Sequence, residues 1–406
     1  MQHDLLKIHK DMTALKIQGN KISGLQTQKI QKSAARVFKG GQVYSSAFVG
    51  SIDDQALLGK AEHAGNVGIA YDYALPKTAG FESTHIAKES RGSALNRFKD
   101  FFHDLQKQYP HLYWSGHANF TKSTRYFTSS YTGNLHTSGE TVEATLLYKQ
   151  FGSADFAEGW MFIDGPDYDF NKFYAKAEPL LKAVGQKAAI DSKKMPVLLM
   201  DNWSFMERIA QDMKPEKFHA GSTALSGKLG EQVFNSQVSF QDVSLNPAKG
   251  RFRGFDGEGV LHTNPMVFEN GTFSKVLYDL RQATKANTQS TGNGLRSFNT
   301  GVNCGVHELV LAPGKTPVWE MIKSLPECLV VAMSYGGTIT EQWEYSYPVQ
   351  VGFLFRHGQP VGRVPSVSVK GLFKDILGKD LIAISSDSFS GSFSPCVLTQ
   401  MEVVGH

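Results

Sequence analysis

Cysteine is scarce: Cys304, Cys328 and Cys396 are the three in 406 residues, and no two form a C-x-x-C pair. That excludes a disulfide framework or a structural zinc knot, and it suits a reducing compartment, the cytoplasm. Long apolar runs are missing too, and the opening MQHDLLKIHKDM carries charges where a leader peptide would have its apolar core. Neither membrane spanning nor secretion is expected. Nor is there an excess of one charge sign. The 42 Lys plus Arg stand against 38 Asp plus Glu, and the resulting +4 is too dilute to imply direct contact with nucleic acid. The basic run Lys29, Lys32, Arg36 and Lys39 lies along expected strand and turn residues and reads as a solvated face. No segment recurs at a fixed period, which argues against a solenoid. No G-x-S-x-G elbow occurs and no cysteine has a local signature tying it to a base, so no catalytic residue can be assigned.

What is present alternates turns with short periodic segments. Ala14, Leu15 and Ile17 precede a Gly19-Asn20 turn, and Val37, Phe38, Val43, Tyr44 and Phe48 flank Gly40-Gly41, the pattern of an antiparallel meander. Ser51 is positioned to cap a short helix with Asp53 and Asp54 in its first turn. Between Ser93 and Tyr109, Leu95, Phe98, Phe102 and Leu105 recur at helical spacing, and Pro110 ends the helix. Residues 111–149 read as β-hairpins with one wet face. A helix through Phe173, Tyr174, Ala177 and Leu181 precedes Gly185. The polar stretch Gln186 to Lys194 ahead of Pro196 is the expected domain boundary.

The second half predicts strands over Val260–Val267 and Phe273–Leu280 around an Asn270-Gly271 turn, then Val349–Phe355 and Val361–Val369 around His357-Gly358. The expected architecture is α+β: a mixed N-terminal domain over residues 1–190 and a β-rich C-terminal domain over 191–406.

Several strings of the second half follow one another in the order of a known family. They are Gly227-Lys228-Leu229-Gly230-Glu231, Phe255-Asp256-Gly257-Glu258-Gly259-Val260, Gly271 before Tyr278-Asp279-Leu280, and Ser290-Thr291-Gly292-Asn293. Pro313-Gly314, a short helix around Trp319 to Ile322, Gly352 and a closing Val403-Val404-Gly405 complete the set. Each string alone is weak, but together they resemble the TldD/PmbA (TldE) family, labelled modulators of DNA gyrase and understood as peptidases built from paired subunits.

In the TldD branch a helix carries His-Glu-x-x-x-His, which holds zinc. Counting back from Gly227, that slot falls on Met206-Glu207-Arg208-Ile209-Ala210-Gln211. A thioether and a carboxamide are poor zinc ligands, so neither metal nor cofactor is expected. No substitute is legible. His111 and His117 lie six apart, His307 has no second histidine at i+4 or i+5, and His136, His219, His262 and His357 are isolated, each reading as a surface or hydrogen-bonded side chain. Cys396 reads as a small apolar residue.

The resemblance therefore implies a zinc-free TldE/PmbA-like subunit. It would form a dimer with a zinc-bearing TldD-like partner and process unfolded peptides in the cytoplasm, any link to gyrase being indirect. The alternative is a stand-alone homodimeric peptide-binding or scaffold protein. Asp256 and Glu258 are candidates for the peptide channel or the subunit contact, although the bland reading is that they cap and solvate a turn. Ser290, Thr291 and Asn293 are read as a loop at the same chamber or contact, with anion binding through backbone N–H groups as the other possibility.

Overall fold

The computed structural model describes residues 1–64, 68–166, 169–191, 193–299, 301–334, 336–388 and 394–405. Ser192, inside the expected boundary, lies outside them. The first layer is an eight-stranded sheet: β1 (Gln2–Gln18), β2 (Lys21–Lys39), β3 (Gln42–Val49), β4 (Ile69–Ala70), β5 (Phe81–Thr84), β6 (Leu112–Ser129), β7 (Leu135–Gln150) and β8 (Gly159–Gly165). The order is β4-β3-β2-β1-β6-β7-β5, with β8 also on β7. Its first turn places Gly19 and Asn20, and its second Gly40 and Gly41, at positive φ, which is why those residue types stand there.

Three helices accompany the sheet: α1 (Asp54–Glu62), α2 (Arg91–Gln108) and α3 (Phe170–Ala183). The cap of α1 is Asp53 rather than the expected Ser51. Its carboxylate accepts the N–H groups of Gln55 and Ala56, which an acid does better than a hydroxyl at the positive end of the helix dipole. Ser90 caps α2. Arg36 departs from the solvated face expected of the basic run, since it is buried beneath the sheet.

The second half opens with β9 (Lys193–Leu199), α4 (Trp203–Asp212) and α5 (Pro215–His219). Short strands follow: β10 (Phe240–Asp242), β11 (Leu245–Asn246), β12 (Arg251–Phe252), β13 (Met266–Glu269) and β14 (Thr272–Phe273). After α6 (Leu280–Lys285) come β15 (Gly294–Arg296), β16 (Val302–Cys304), β17 (Leu309–Leu311) and α7 (Val318–Lys323). The chain closes with β18 (Cys328–Ser334), β19 (Thr338–Ile339), β20 (Glu344–Arg356), β21 (Gln359–Arg363), β22 (Val367–Leu372), α8 (Phe373–Ile376), β23 (Leu381–Ile384) and β24 (Val397–Gly405).

Because β20 pairs with both β22 and β18, the run β18-β9-β24-β22-β20 closes into a barrel. Its strands alternate between two cores. Val197, Leu199, Leu329, Val331 and Val397 point to the barrel interior, while Leu198, Val330, Ala332, Phe353 and Leu398 pack outward with Phe98, Trp114, Leu180 and Leu181 of the first layer. With both faces buried, the strands read as continuous apolar runs. Thr399 is the buried polar residue of β24: it donates its hydroxyl to the carbonyls of Ile376 and Asp380.

The expected strand over Val260–Val267 shrinks to Met266–Glu269, and that over Phe273–Leu280 to Thr272–Phe273. The cause is local. The Asp256 carboxylate takes the N–H groups of Glu258 and Val260, and Asp279 caps α6 through the N–H of Gln282, so the two ends of this stretch are held by side chains rather than by a ladder. No helix among the described residues is long and apolar enough to cross a membrane.

Candidate functional site

The α4 slot is held by the barrel, into which Phe205 and Ile209 are buried. Arg208 pairs with Asp212, and Asp212 also accepts the indole N–H of Trp343 at 2.7 Å. On this helix Met206 is buried, Glu207 is exposed and Gln211 is half-buried. Met206 lines a cavity of about 340 Å³ with Trp160, Phe162, Asp164 and Trp203. The three slot residues do not fit a zinc ion: the carboxylate points to solvent, away from a thioether that forms an apolar wall. Among the described residues no three His, Cys, Asp or Glu side chains are arranged to hold a metal. Cys396 is buried just ahead of β24, as a small apolar residue would be.

Asp256 and Glu258 do not solvate a turn. Both are buried, with relative exposures of 0% and 1%. Asp256 accepts backbone N–H groups from Glu258, Val260 and Gly294 at 2.8–3.0 Å. Glu258 accepts the N–H of Leu280 at 2.9 Å and lies 4.0 Å from the Arg36 guanidinium. Burial pushes both carboxyl groups up, and with Asp256 beside it Glu258 reaches about 8. These acids sit where the 254–260 loop meets β15, not on an open wall of the chain. Gly257 is required there, because a Cβ would stand 2.3 Å from Arg296 Cβ.

The same region joins the layers. Asp4 of β1 is wholly buried and receives Arg36 of β2, Arg296 of β15 at 2.8 Å and the Tyr131 hydroxyl at 2.6 Å. Burial opposes its charge, but the two arginines hold its carboxyl below the usual range.

Ser290, Thr291 and Asn293 form one knot with the segment before α6. Ser290 and Thr291 donate to the Tyr278 carbonyl, and Thr291 also to Asn293 Oδ1 at 2.6 Å. Asn293 passes the connection on, donating to Asp242 Oδ2 at 2.6 Å and to the Gly305 carbonyl. The hydroxyls and amide are thus committed to protein partners, and so are the backbone N–H groups of Thr291, Gly292 and Gly294, to the Tyr278 carbonyl, Ser290 Oγ and Asp256 Oδ2, rather than to an anion.

Asp242 is the residue that sequence reasoning missed. Its Oδ1 accepts the N–H groups of His307 and Glu308, and its Oδ2 accepts from Asn293 and, at 3.0 Å, from His262 Nε2. His262 and His307, 45 positions apart, stand with ring centroids 4.4 Å apart. Burial and the adjacent His262 push His307 down to about 3, so it is neutral and donates Nε2–H to the Gly292 carbonyl at 2.8 Å. His136 lies elsewhere, stacked on Tyr126 beside Glu82.

Next to this cluster the Arg251–Glu308 ion pair forms a wall shared by three cavities, of about 400, 340 and 240 Å³. Asp164 faces the second; burial and the charges of Glu143 and Glu308 push it up to about 7 against the pull of Arg251. The arrangement offers a divided cleft with cations, hydroxyls and apolar walls.

A model of the PmbA/TldA metallopeptidase C-terminal domain matches residues 192–405. The crystal structure of TldE from Thermococcus kodakarensis is similar over 100% of this chain and 97% of that one, with a TM-score of 0.87 at 16% identity. A protein named metalloprotease from Archaeoglobus fulgidus is 26% identical over 226 residues, 54% of this chain and 51% of that protein. Another of that name from Methanothermobacter thermautotrophicus is 24% identical over 168 residues, 41% of this chain and 37% of that protein. The chain thus spans about half or less of the length of these relatives.

Proposed function

The chain belongs to the PmbA/TldD family, and we propose that within it this protein is a zinc-free, TldE-like subunit. It would act in the cytoplasm with a zinc-bearing TldD-like chain to process unfolded peptides. The observation that carries this reading is the donor chemistry of α4: Met206 in an apolar wall, Glu207 turned to solvent and Gln211 with a carboxamide cannot replace two imidazoles. The fold likeness to the Thermococcus TldE supports the same branch. The cleft divided by Arg251 and Glu308 supplies walls for a chain in extended form, and the zinc chemistry would come from the partner.

The test is reconstitution. The purified chain is mixed with a zinc-bearing TldD-like subunit from the same cell, and the mixture is followed by size-exclusion chromatography and cleavage of an unfolded peptide. The expected result is a mixed complex with chelator-sensitive activity, and no such activity in this chain alone. Chelator-sensitive cleavage by the isolated chain would overturn the reading.

A further inference from the structure

The cavity of about 400 Å³ lies between Ile8 of β1, Ser123 and Arg125 of β6 and Thr137 to Thr141 of β7 on one side and residues 243–253 and 307–308 on the other. Its charged lining residues are Arg125, Arg251, Arg253 and Glu308. Arg251 and Glu308 neutralise each other. Two guanidinium groups remain without a carboxylate of their own.

Arg125 lies over the Phe255 ring at 5.3 Å, and its Nε is shielded from water with no hydrogen-bond partner. The acid that acts on it, Asp256, already has its oxygens taken up by three backbone N–H groups. Arg253 keeps solvent contact, and no hydrogen bond or ion pair engages its guanidinium among the described residues. Burial and their mutual repulsion disfavour charge on Arg125. Holding two like charges at one cavity costs stability, and an anion between them would remove that cost.

The rest of the wall narrows the class of anion. Ser123, Thr137, Thr141 and Ser244 bring hydroxyls, and the Ser244 Oγ is buried without a partner. Ile8, Val243 and Phe252 supply apolar surface. A bare inorganic anion would leave that surface and most of the volume unused, whereas cavities of this size suit an organic ligand of several heavy atoms.

We propose that this cavity is a carboxylate-binding site for the C-terminal residue of a peptide, its carboxylate held by Arg125 and Arg253 and its side chain against Ile8, Val243 and Phe252. Guanidinium forks match a carboxylate in a way a lysine would not. The site is a property of this chain alone, so it stands or falls independently of pairing with a zinc subunit.

The experiment is calorimetric titration of the purified full chain with four probes: tri-alanine, tri-alanine amide, acetate and inorganic phosphate. Tri-alanine should bind at least about tenfold more tightly than its amide, the loss expected when a charged hydrogen-bonded pair is removed. Arg125→Gln and Arg253→Gln should each weaken tri-alanine by at least about tenfold. Arg253→Gln, at the solvent side, keeps the test valid should the buried variant misfold, and circular dichroism melts check both. The proposal is overturned if the amide binds as well as the free acid, if tri-alanine does not bind, or if a folded Arg253→Gln chain retains full affinity. Acetate or phosphate binding as tightly as tri-alanine would overturn the peptide assignment.

Discussion

Arg296 reaches across 292 positions of the chain to place its Nη1 2.8 Å from Asp4 Oδ1, and both side chains are buried. Arg36 completes the group from the next strand. One carboxylate therefore balances two guanidinium groups at the seam between the sheet and the loops that carry Asp256 and Glu258. Removing that carboxylate leaves two buried cations facing each other. Asp4→Asn should cost about 3–5 kcal/mol in urea unfolding. By contrast Lys194→Ala, at the exposed pair with Asp380, should cost about 1 kcal/mol or less. A loss under about 1 kcal/mol for Asp4→Asn would show that the seam does not depend on this charge balance.

Glu258 gives the fold a pH dependence of defined sign. Its folded value, about 8, lies above the ordinary 4.5, so the native state holds a proton that the unfolded chain releases. The stability tied to it is fully present below about pH 4.5 and is lost as pH rises through about 8. Glu258→Gln keeps the neutral form and should flatten that part of the curve. Chemical denaturation of both chains between pH 5 and pH 9 checks this; parallel curves would refute it.

Asp242 accepts from four donors, and an amide in its place would turn one N–H₂ toward N–H groups that need an acceptor. Asp242→Asn should therefore destabilise the chain by about 2–4 kcal/mol. It should also loosen the His262–His307 contact, visible as a changed imidazole environment in NMR. An unaltered melting temperature would show that the hub is dispensable.

Restoring the imidazoles of the slot should not restore the family's chemistry. In Met206→His, Gln211→His the carboxylate of Glu207 is still exposed, and position 211 does not share the cavity that position 206 lines, so the two new rings lack a common pocket that would orient them. Metal analysis after dialysis should find well under one zinc per chain, and peptide cleavage should stay absent. One tightly held zinc would show that the wall around Met206 is more adaptable than its packing implies.

Features encoded within a few residues were legible in the sequence. Gly19-Asn20, Gly40-Gly41, Asn270-Gly271 and His357-Gly358 all sit at positive φ, a constraint each pair announces by itself. The apolar spacing of α2 and the run Val349–Phe355 within β20 were equally local. Arg36 was not legible, because its partner Asp4 is 32 positions away and a basic residue among lysines looks like one more solvated charge. The His262–His307 contact was hidden for the same reason: it is assembled by Asp242, which in sequence is an unremarked acid at the end of a short strand. Asp256 and Glu258 stood out in the sequence as candidates for a channel or subunit contact, but nothing in Phe255 to Val260 tells a buried acid from a solvated one. Burial is decided by Gly294, Leu280 and Arg36, which arrive from elsewhere.

The double packing of the barrel strands bears on how the chain finds its register. In most sheets a slip of one residue is punished at once, since it turns apolar side chains to water and polar ones inward. Where β24 meets β9 at Val397–Leu398, a slip would only exchange one oily neighbourhood for another, because Leu198 and Leu398 serve one core while Val197 and Val397 serve the other. Thr399 breaks that symmetry: displaced by one position, its hydroxyl would lose both the Ile376 and the Asp380 carbonyl. Within the buried stretch Val397–Thr399 a single hydroxyl thus works as an alignment mark, and folding errors in this protein should concentrate where that mark is erased.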